Sequence, residues 1–219
     1  MKKMVLDFLL QLQENNNREW FQKNKAMYEE AMEEVESFVG SILPEMAGFE
    51  PALQFLTPKD CMFRIFRDMR FSKDKSPYKI NIGVFMSYAG RKRCGPGYYM
   101  HLQPGESFLS AGIYMPDPES LRKIRKEIYY QIKEFKTILE NKKLKKYCGG
   151  LDEIEKTKLA PKDFPKDFPE IDLLKNKHFT VSTLLTEKMI LDEKFKATVV
   201  DTFHVMQPLN LFLKRALED

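Results

Sequence analysis

Met62-Phe63-Arg64-Ile65-Phe66-Arg67-Asp68-Met69-Arg70-Phe71, continued by Ser72-Lys73-Asp74-Lys75-Ser76-Pro77-Tyr78-Lys79, is the stretch on which the reading of the chain turns. β-Branched and aromatic residues dominate its first ten positions and turn chemistry follows at once, which predicts a strand over 62–71 and then a tight turn. On a strand the side chains alternate, so one face carries Met62, Arg64, Phe66, Asp68 and Arg70, and the other Phe63, Ile65, Arg67, Met69 and Phe71. The second face is apolar except for Arg67. A buried unpaired charge is too costly, so this guanidinium needs a carboxylate partner or a place at the edge of a cavity. On the first face Asp68 lies between Arg64 and Arg70 and suits one guanidinium as a partner while the other stays free. Read as a helix instead, Arg64, Arg67 and Arg70 would still share a side.

The turn adds Lys73, Lys75 and Lys79, with Pro77 fixing the backbone before Tyr78. Between Lys59 and Arg93 ten Lys/Arg stand against three Asp/Glu, while the whole chain of 219 residues carries a net +4. The positive charge is therefore one patch on an otherwise slightly acidic protein. Guanidinium suits such a patch because its planar fork meets a carboxylate or phosphate with two hydrogen bonds.

Outward from this stretch the periodicity is clear. Residues 3–13 place Val5, Phe8, Leu9 and Leu12 on one helical face, and Asn15-Asn16-Asn17 ends that helix and offers a cap to the next. A long amphipathic helix is expected from Arg18 to about Met46, with Glu29, Glu30, Glu33, Glu34 and Glu36 as an acidic outer stripe. Strand-like runs follow at 62–71, 78–88, 98–103 and 107–115, joined by short turns that favour an antiparallel meander. The basic loop Gly90-Arg91-Lys92-Arg93-Cys94-Gly95-Pro96-Gly97 reads as a flap or an exposed hairpin.

Asp117 with Pro118 starts a helix expected to run to 147, with Ile124, Ile128 and Phe135 inward and lysines 142, 143, 145 and 146 complementing its C-terminal dipole. Pro161, Pro165 and Pro169 mark an extended wrapping segment. Residues 178–185 can add a strand, and two closing helices, 192–206 and 209–217, flank Pro208. The expectation is an α+β fold in one domain, 1–219: helical over 1–50, a sheet core over 60–115 of four to six antiparallel strands, the long helix over 117–147, and a wrapping loop with closing helices over 150–219. N-terminal, central and C-terminal helices pack the sheet.

At 43% hydrophobic residues the chain can bury a sizeable core. No stretch approaches the roughly 18 apolar residues of a membrane span. Asp7 and Gln11 interrupt the apolar part of the start, so a cytoplasmic protein with no membrane partner is expected rather than a signal peptide. Cys61, Cys94 and Cys148 are odd in number and widely spaced, which excludes a disulfide framework and gives no metal-ligand spacing. There is no His-Glu-x-x-His, no paired Cys-x-x-Cys, no Gly-x-Ser-x-Gly elbow and no Gly-rich phosphate loop, so neither a metal nor a cofactor is expected. Of His101, His178 and His204, His101 has the best claim to a role, because it shares the sheet with Tyr98 and Tyr99.

Arg64, Arg67, Asp68, Arg70, Phe71, Asp74, Lys75 and Tyr78 together resemble the signature Arg-x-x-Arg-Asp-x-Arg-Phe-x-x-Asp-Lys-x-x-Tyr of a bacterial family, with fungal relatives, known as a domain of unknown function. Asn15, Asn16, Arg18, Glu19, Trp20 and Phe21 resemble its Asn-Asn-x-Arg-x-Trp-Phe start, and Gly97-Tyr98-Tyr99 and Pro208-Leu-x-x-Phe-Leu its later landmarks. The similarity spans nearly the whole chain. It implies a functional pocket at these residues and supplies no activity.

Three functions compete. The first is a site for a small phosphorylated or carboxylated ligand, built from Arg64, Arg67, Asp68, Arg70, Lys73, Asp74, Lys75, Tyr78 and Lys79. Asp68 would orient a guanidinium or act as an acid or base, and Asn16, Arg18, Trp20, Tyr99 and His101 would form a second wall. Nucleic-acid binding comes next, drawing on the basic patch, the Arg91-Lys92-Arg93 loop and nearby aromatic rings. Third is a structural salt-bridge network of Arg67, Asp68 and Asp74 in a protein-interaction domain. No feature of the sequence points to a reaction or an oligomeric state.

Overall fold

The structure, a computed structural model, describes residues 1–68, 70, 74–88, 90 and 95–218. In chain order the elements are helices α1 (Met4–Glu14), α2 (Arg18–Lys23) and α3 (Lys25–Ala47), a 3₁₀ turn (Pro51–Phe55), α4 (Pro58–Cys61), strands β1 (Ile82–Met86), β2 (Gly97–Leu102) and β3 (Phe108–Ile113), helices α5 (Pro118–Tyr130), α6 (Ile132–Leu139), α7 (Lys142–Cys148) and α8 (Ile171–Leu174), strand β4 (Phe179–Leu184), and helices α9 (Glu187–Leu191) and α10 (Phe195–Glu218). The fold is α+β, with an antiparallel sheet in the order β1-β2-β3-β4. Its contacts gather into two compact units. The first comprises Met1–Lys92, Tyr99–Leu109 and Leu184–Asp201, the second Arg93–Tyr98, Ser110–Thr183 and Thr202–Asp219.

In the first unit Val5, Phe8, Leu9 and Leu12 are fully buried, as the period-3.6 stripe of α1 requires. Asn17 caps α2 by accepting from the Trp20 N–H at 2.9 Å. The single helix expected from Arg18 to Met46 is instead two. Asn24 ends α2 because its backbone N–H and its side-chain amide both donate to the Trp20 carbonyl, at 3.0 and 2.9 Å, and its φ of −109° is not helical. The acidic stripe of α3 receives bases from elsewhere in this unit: Lys2 on Glu34, Lys59 on Glu36, and Lys196 on Glu45 at the helix end.

The strand expected over 62–71 does not form a ladder. Its described part makes two isolated antiparallel bridges, Met62 with Val84 and Phe66 with Tyr78. Between the bridges four residues advance on one side and six on the other, with bends at Ile80 and Asn81, so two surplus residues break the register. Among the described residues three backbone hydrogen bonds join the two stretches: Phe63 N–H to the Gly83 carbonyl (3.0 Å), Lys79 N–H to Ile65 (2.7 Å) and Arg67 N–H to Pro77 (3.0 Å). For the same reason the second strand shrinks from 78–88 to Ile82–Met86. Positions 91–94 of the expected flap lie outside the described residues, as does Lys73.

In the second unit Asp117 caps α5, accepting from the N–H groups of Glu119 and Ser120, both at 3.0 Å. The helix expected to reach 147 breaks at Gln131 (φ −112°, ψ 34°) and again before Asn141, whose side chain accepts from the N–H of Lys143 (2.9 Å) and Leu144 (3.3 Å). Lys142 and Lys143 therefore open α7 rather than close a longer helix. Only Lys145 and Lys146 lie in a last turn, where they complement the dipole. Phe135 centres this core, 5.1 Å from Phe212 and 6.3 Å from Phe179 between ring centroids. The wrapping segment lays Phe164 and Phe168 on Tyr129. Asp152 covers the outer edge of β4, pairing through its N–H with the Thr180 carbonyl (2.9 Å) and through its carboxylate with the hydroxyls of Thr180 and Ser182.

Pro208 does not divide the closing helix: α10 runs from Phe195 to Glu218 with the proline inside it. Val199, Phe203, Met206, Leu209, Leu213 and Ala216 make one buried stripe through the proline, and that packing outweighs the single backbone hydrogen bond a proline removes. Among the described residues no helix is long and apolar enough to cross a membrane.

Gly112, at φ +125°, lies where an added Cβ would stand 2.0 Å from the Phe179 carbonyl oxygen. Gly112→Ala should therefore cost about 3 kcal/mol through strain and loss of the β3–β4 pairing. In a chain of this length that lowers Tm by roughly 6–12 °C in thermal denaturation.

Candidate anion site

The signature segment is positioned by the first connection of the chain. Asn16 acts as a surrogate strand: its amide N–H donates to the Tyr78 carbonyl (2.9 Å) and its amide oxygen accepts from the Tyr78 N–H (3.1 Å). The Tyr78 ring is buried and stacks on Phe21 at 3.9 Å and 14°, with Phe66 at 5.5 Å. Tyr78 thus anchors the core and does not present its ring to solvent. Trp20 stacks on Phe8, and Arg18 is exposed beside them.

Two of the three signature arginines are held by carboxylates. Arg67, its side chain 27% exposed, pairs with Asp74, which also accepts from the Ser76 N–H (2.9 Å) and hydroxyl (2.6 Å). Those Ser76 bonds, with Arg67, hold the Asp74 carboxyl well below the usual range. Arg70 grips Asp68 through Nε (3.0 Å) and a terminal nitrogen (2.7 Å), and this fork lowers the Asp68 pKa. A carboxylate so stabilised is a weak base, so Asp68 orients Arg70 and is poorly suited to proton transfer. Both carboxylates are exposed, and such pairs are screened by water and salt.

Arg64 and Lys79 differ. Among the described residues neither makes an ion pair. The Lys79 ammonium lies over the Phe63 ring, 5.4 Å from its centroid. Its pKa is lowered, first by burial and then by the like charge of Arg64. Lys75 is exposed on the same turn.

Beyond Phe63 comes the sheet. Tyr99, its ring 6.4 Å from that of Phe63, places its hydroxyl where only glycine fits at 83, since a Cβ there would stand 2.7 Å from the phenolic oxygen. The hydroxyl meets His101 Nδ1 at 3.1 Å, His101 Nε2 meets the Gln103 side-chain oxygen at 3.2 Å, and the Gln103 amide donates to Glu106 at 2.7 Å. Phe108 of β3 stacks on His101 at 4.7 Å. Burial pushes the Tyr99 phenol up to about 12 and the His101 imidazole below its ordinary value. The structure thus gathers Asn16, Arg64, Arg67, Asp68, Arg70, Asp74, Lys79, Tyr99 and His101 within the first unit. Sequence reasoning missed Phe63 as the platform, Gly83, and the pair Gln103 and Glu106; the period of two that linked Tyr99 to His101 also reaches Gln103.

The fold and the basic patch together define an α+β domain with a cationic surface segment. The chain belongs to the family described as Conserved hypothetical protein (DUF2461), which matches residues 4–212. Neither the curated proteins nor the solved structures contain a match.

Asn16→Ala removes both hydrogen bonds to a buried backbone and should cost about 1–3 kcal/mol. Thermal denaturation should show Tm lower by several degrees, and Asn16→Asp, which keeps the acceptor and loses the donor, should not restore it.

Proposed function

We propose that the chain binds a small phosphorylated or carboxylated molecule at Arg64 and Lys79, with Arg67 and Arg70 framing the site. The observation that carries this reading is Lys79: a half-buried ammonium facing a like charge, with no carboxylate ion-paired to it among the described residues. Arg64 is exposed and feels Asp68 only at longer range, so two like charges with no carboxylate ion-paired to either favour an anion between them, the more so on the half-buried Lys79 side. Asp68 and Asp74 support the same reading by their positions. They neutralise Arg70 and Arg67 and so fix the frame, leaving the net charge at the other pair. The thiols of Cys61 and Cys148 suit a reducing compartment, the cytoplasm; burial pushes the Cys148 thiol up to about 12, which keeps it protonated and inert.

A second reading, nucleic-acid binding, draws on Phe66, 48% exposed in the arginine-bearing segment and available for stacking on a base. It requires affinity for short oligonucleotides that falls steeply with salt. Oligonucleotide binding that is flat in salt, or absent at low salt, removes it.

The experiment is a thermal-stability series with phosphate, sugar phosphates and carboxylates on wild type, Arg64→Ala and Lys79→Met. A ligand at about a hundred times its Kd adds roughly 2.7 kcal/mol, or about 5–10 °C here. Wild type should show that shift and both variants should lose it. Without ligand the variants should melt no lower than wild type, because each relieves a repulsion. A lower unliganded Tm with an unchanged ligand response would instead mark these residues as structural.

A further inference from the structure

The hydrogen-bond chain on β2 has a fixed polarity. The Glu106 carboxylate only accepts, so the Gln103 amide must turn its N–H₂ toward Glu106 and its oxygen toward His101. Ser107 holds the Gln103 backbone in place, its hydroxyl donating to the Gln103 carbonyl (2.7 Å) and accepting from its N–H (2.9 Å). The proton of neutral His101 therefore resides on Nε2, and Nδ1 is bare. Tyr99 must donate its hydroxyl proton to Nδ1. Its oxygen keeps lone pairs and has no proton to offer, and among the described residues nothing else hydrogen-bonds it.

From this polarity we infer that Tyr99 is a specificity determinant that accepts a hydrogen bond from the ligand, so the molecule held by Arg64 and Lys79 is an anion bearing a hydroxyl or amino group: a hydroxylated phosphate or carboxylate. The inference rests on the anion-site reading above. Both groups border one ring: Lys79 lies over Phe63, and the Tyr99 hydroxyl lies beside Phe63 at Gly83. The raised phenol pKa agrees, because a phenol that stays protonated keeps donating to His101.

The polarity also depends on pH. A protonated His101 donates from both nitrogens, so Tyr99 must accept from Nδ1 and turn its own proton outward, and selection for a donor is lost. The charged or titratable groups around His101 are Tyr99 on its own strand and Glu106 in the turn, with Lys79 and Arg64 beyond Phe63; β3 contributes the uncharged Phe108. Burial lowers the His101 pKa, so the reversal comes as pH falls below the imidazole's ordinary value.

Matched ligands test this by titration calorimetry. At about pH 8 glycerol 3-phosphate should bind wild type about fivefold more tightly than propyl phosphate, the gain of one hydrogen bond. Tyr99→Phe, which keeps the ring, should bind the two alike while its affinity for propyl phosphate is unchanged. 3-Hydroxypropanesulfonate and propanesulfonate do not titrate in this range, and at pH 8 wild type should show the same preference of about five for the hydroxylated member. Equal binding of each pair by wild type at pH 8, or a preference that survives in Tyr99→Phe, overturns the inference and leaves the anion site standing. Failure of every anion to bind overturns both.

Discussion

Everything at the candidate site depends on one reciprocal pair of hydrogen bonds, between the side chain of Asn16 and the backbone of Tyr78. The two antiparallel stretches 62–67 and 77–84 differ by two residues between their bridges, so an ordinary ladder cannot hold them. Backbone polar groups left unpaired in a buried place cost as much as a lost hydrogen bond. Asn16 answers that need at Tyr78, beside the Phe66 bridge, and Phe21 seals the same residue by stacking on its ring. The result is a segment that runs beside the sheet without belonging to it. It can therefore place Arg64 and Lys79 outside the regular alternation of a strand.

The charges then divide by function. Asp68 and Asp74 are spent on Arg70 and Arg67, with backbone and serine donors fixing the carboxylates. Such pairs fix geometry rather than supply much stability, because exposed ion pairs are weak. What remains is the pair Arg64 and Lys79, the lysine over the Phe63 ring, and a hydrogen-bond chain whose direction Glu106 sets. An electrostatic deficit at one end and a directional acceptor at the other are what a ligand with two different ends would satisfy.

Much of the fold was legible because it rests on local chemistry. The stripe of α1, the caps at Asn17 and Asp117, and the antiparallel meander all follow from residue spacing. Helix lengths were not legible in the same way. The breaks at Asn24 and Gln131 and the continuity through Pro208 are decided by packing: Asn24 can cap because its amide reaches Trp20, while Pro208 is tolerated because the apolar stripe of α10 continues past it. In the signature, alternation alone gave Arg67 a carboxylate partner or a cavity edge and gave Asp68 one of its two neighbouring arginines, but not which one. The burial of Tyr78 could not be read, because its stacking partner Phe21 is far away in sequence. Nor could the uncompensated pair be singled out, since sequence shows cations but not which of them the aspartates reach.

The central claim is that Arg64 and Lys79 form a couple lacking its anion, and the most direct measurement is the titration of the Lys79 side chain by NMR with carbon-13-labelled lysine, with and without phosphate. The account predicts a Lys79 pKa below the ordinary lysine value in phosphate-free buffer, rising when phosphate is added, and a rise in the free protein when Arg64 is replaced by alanine. An ordinary Lys79 pKa that responds neither to phosphate nor to the loss of Arg64 would contradict it.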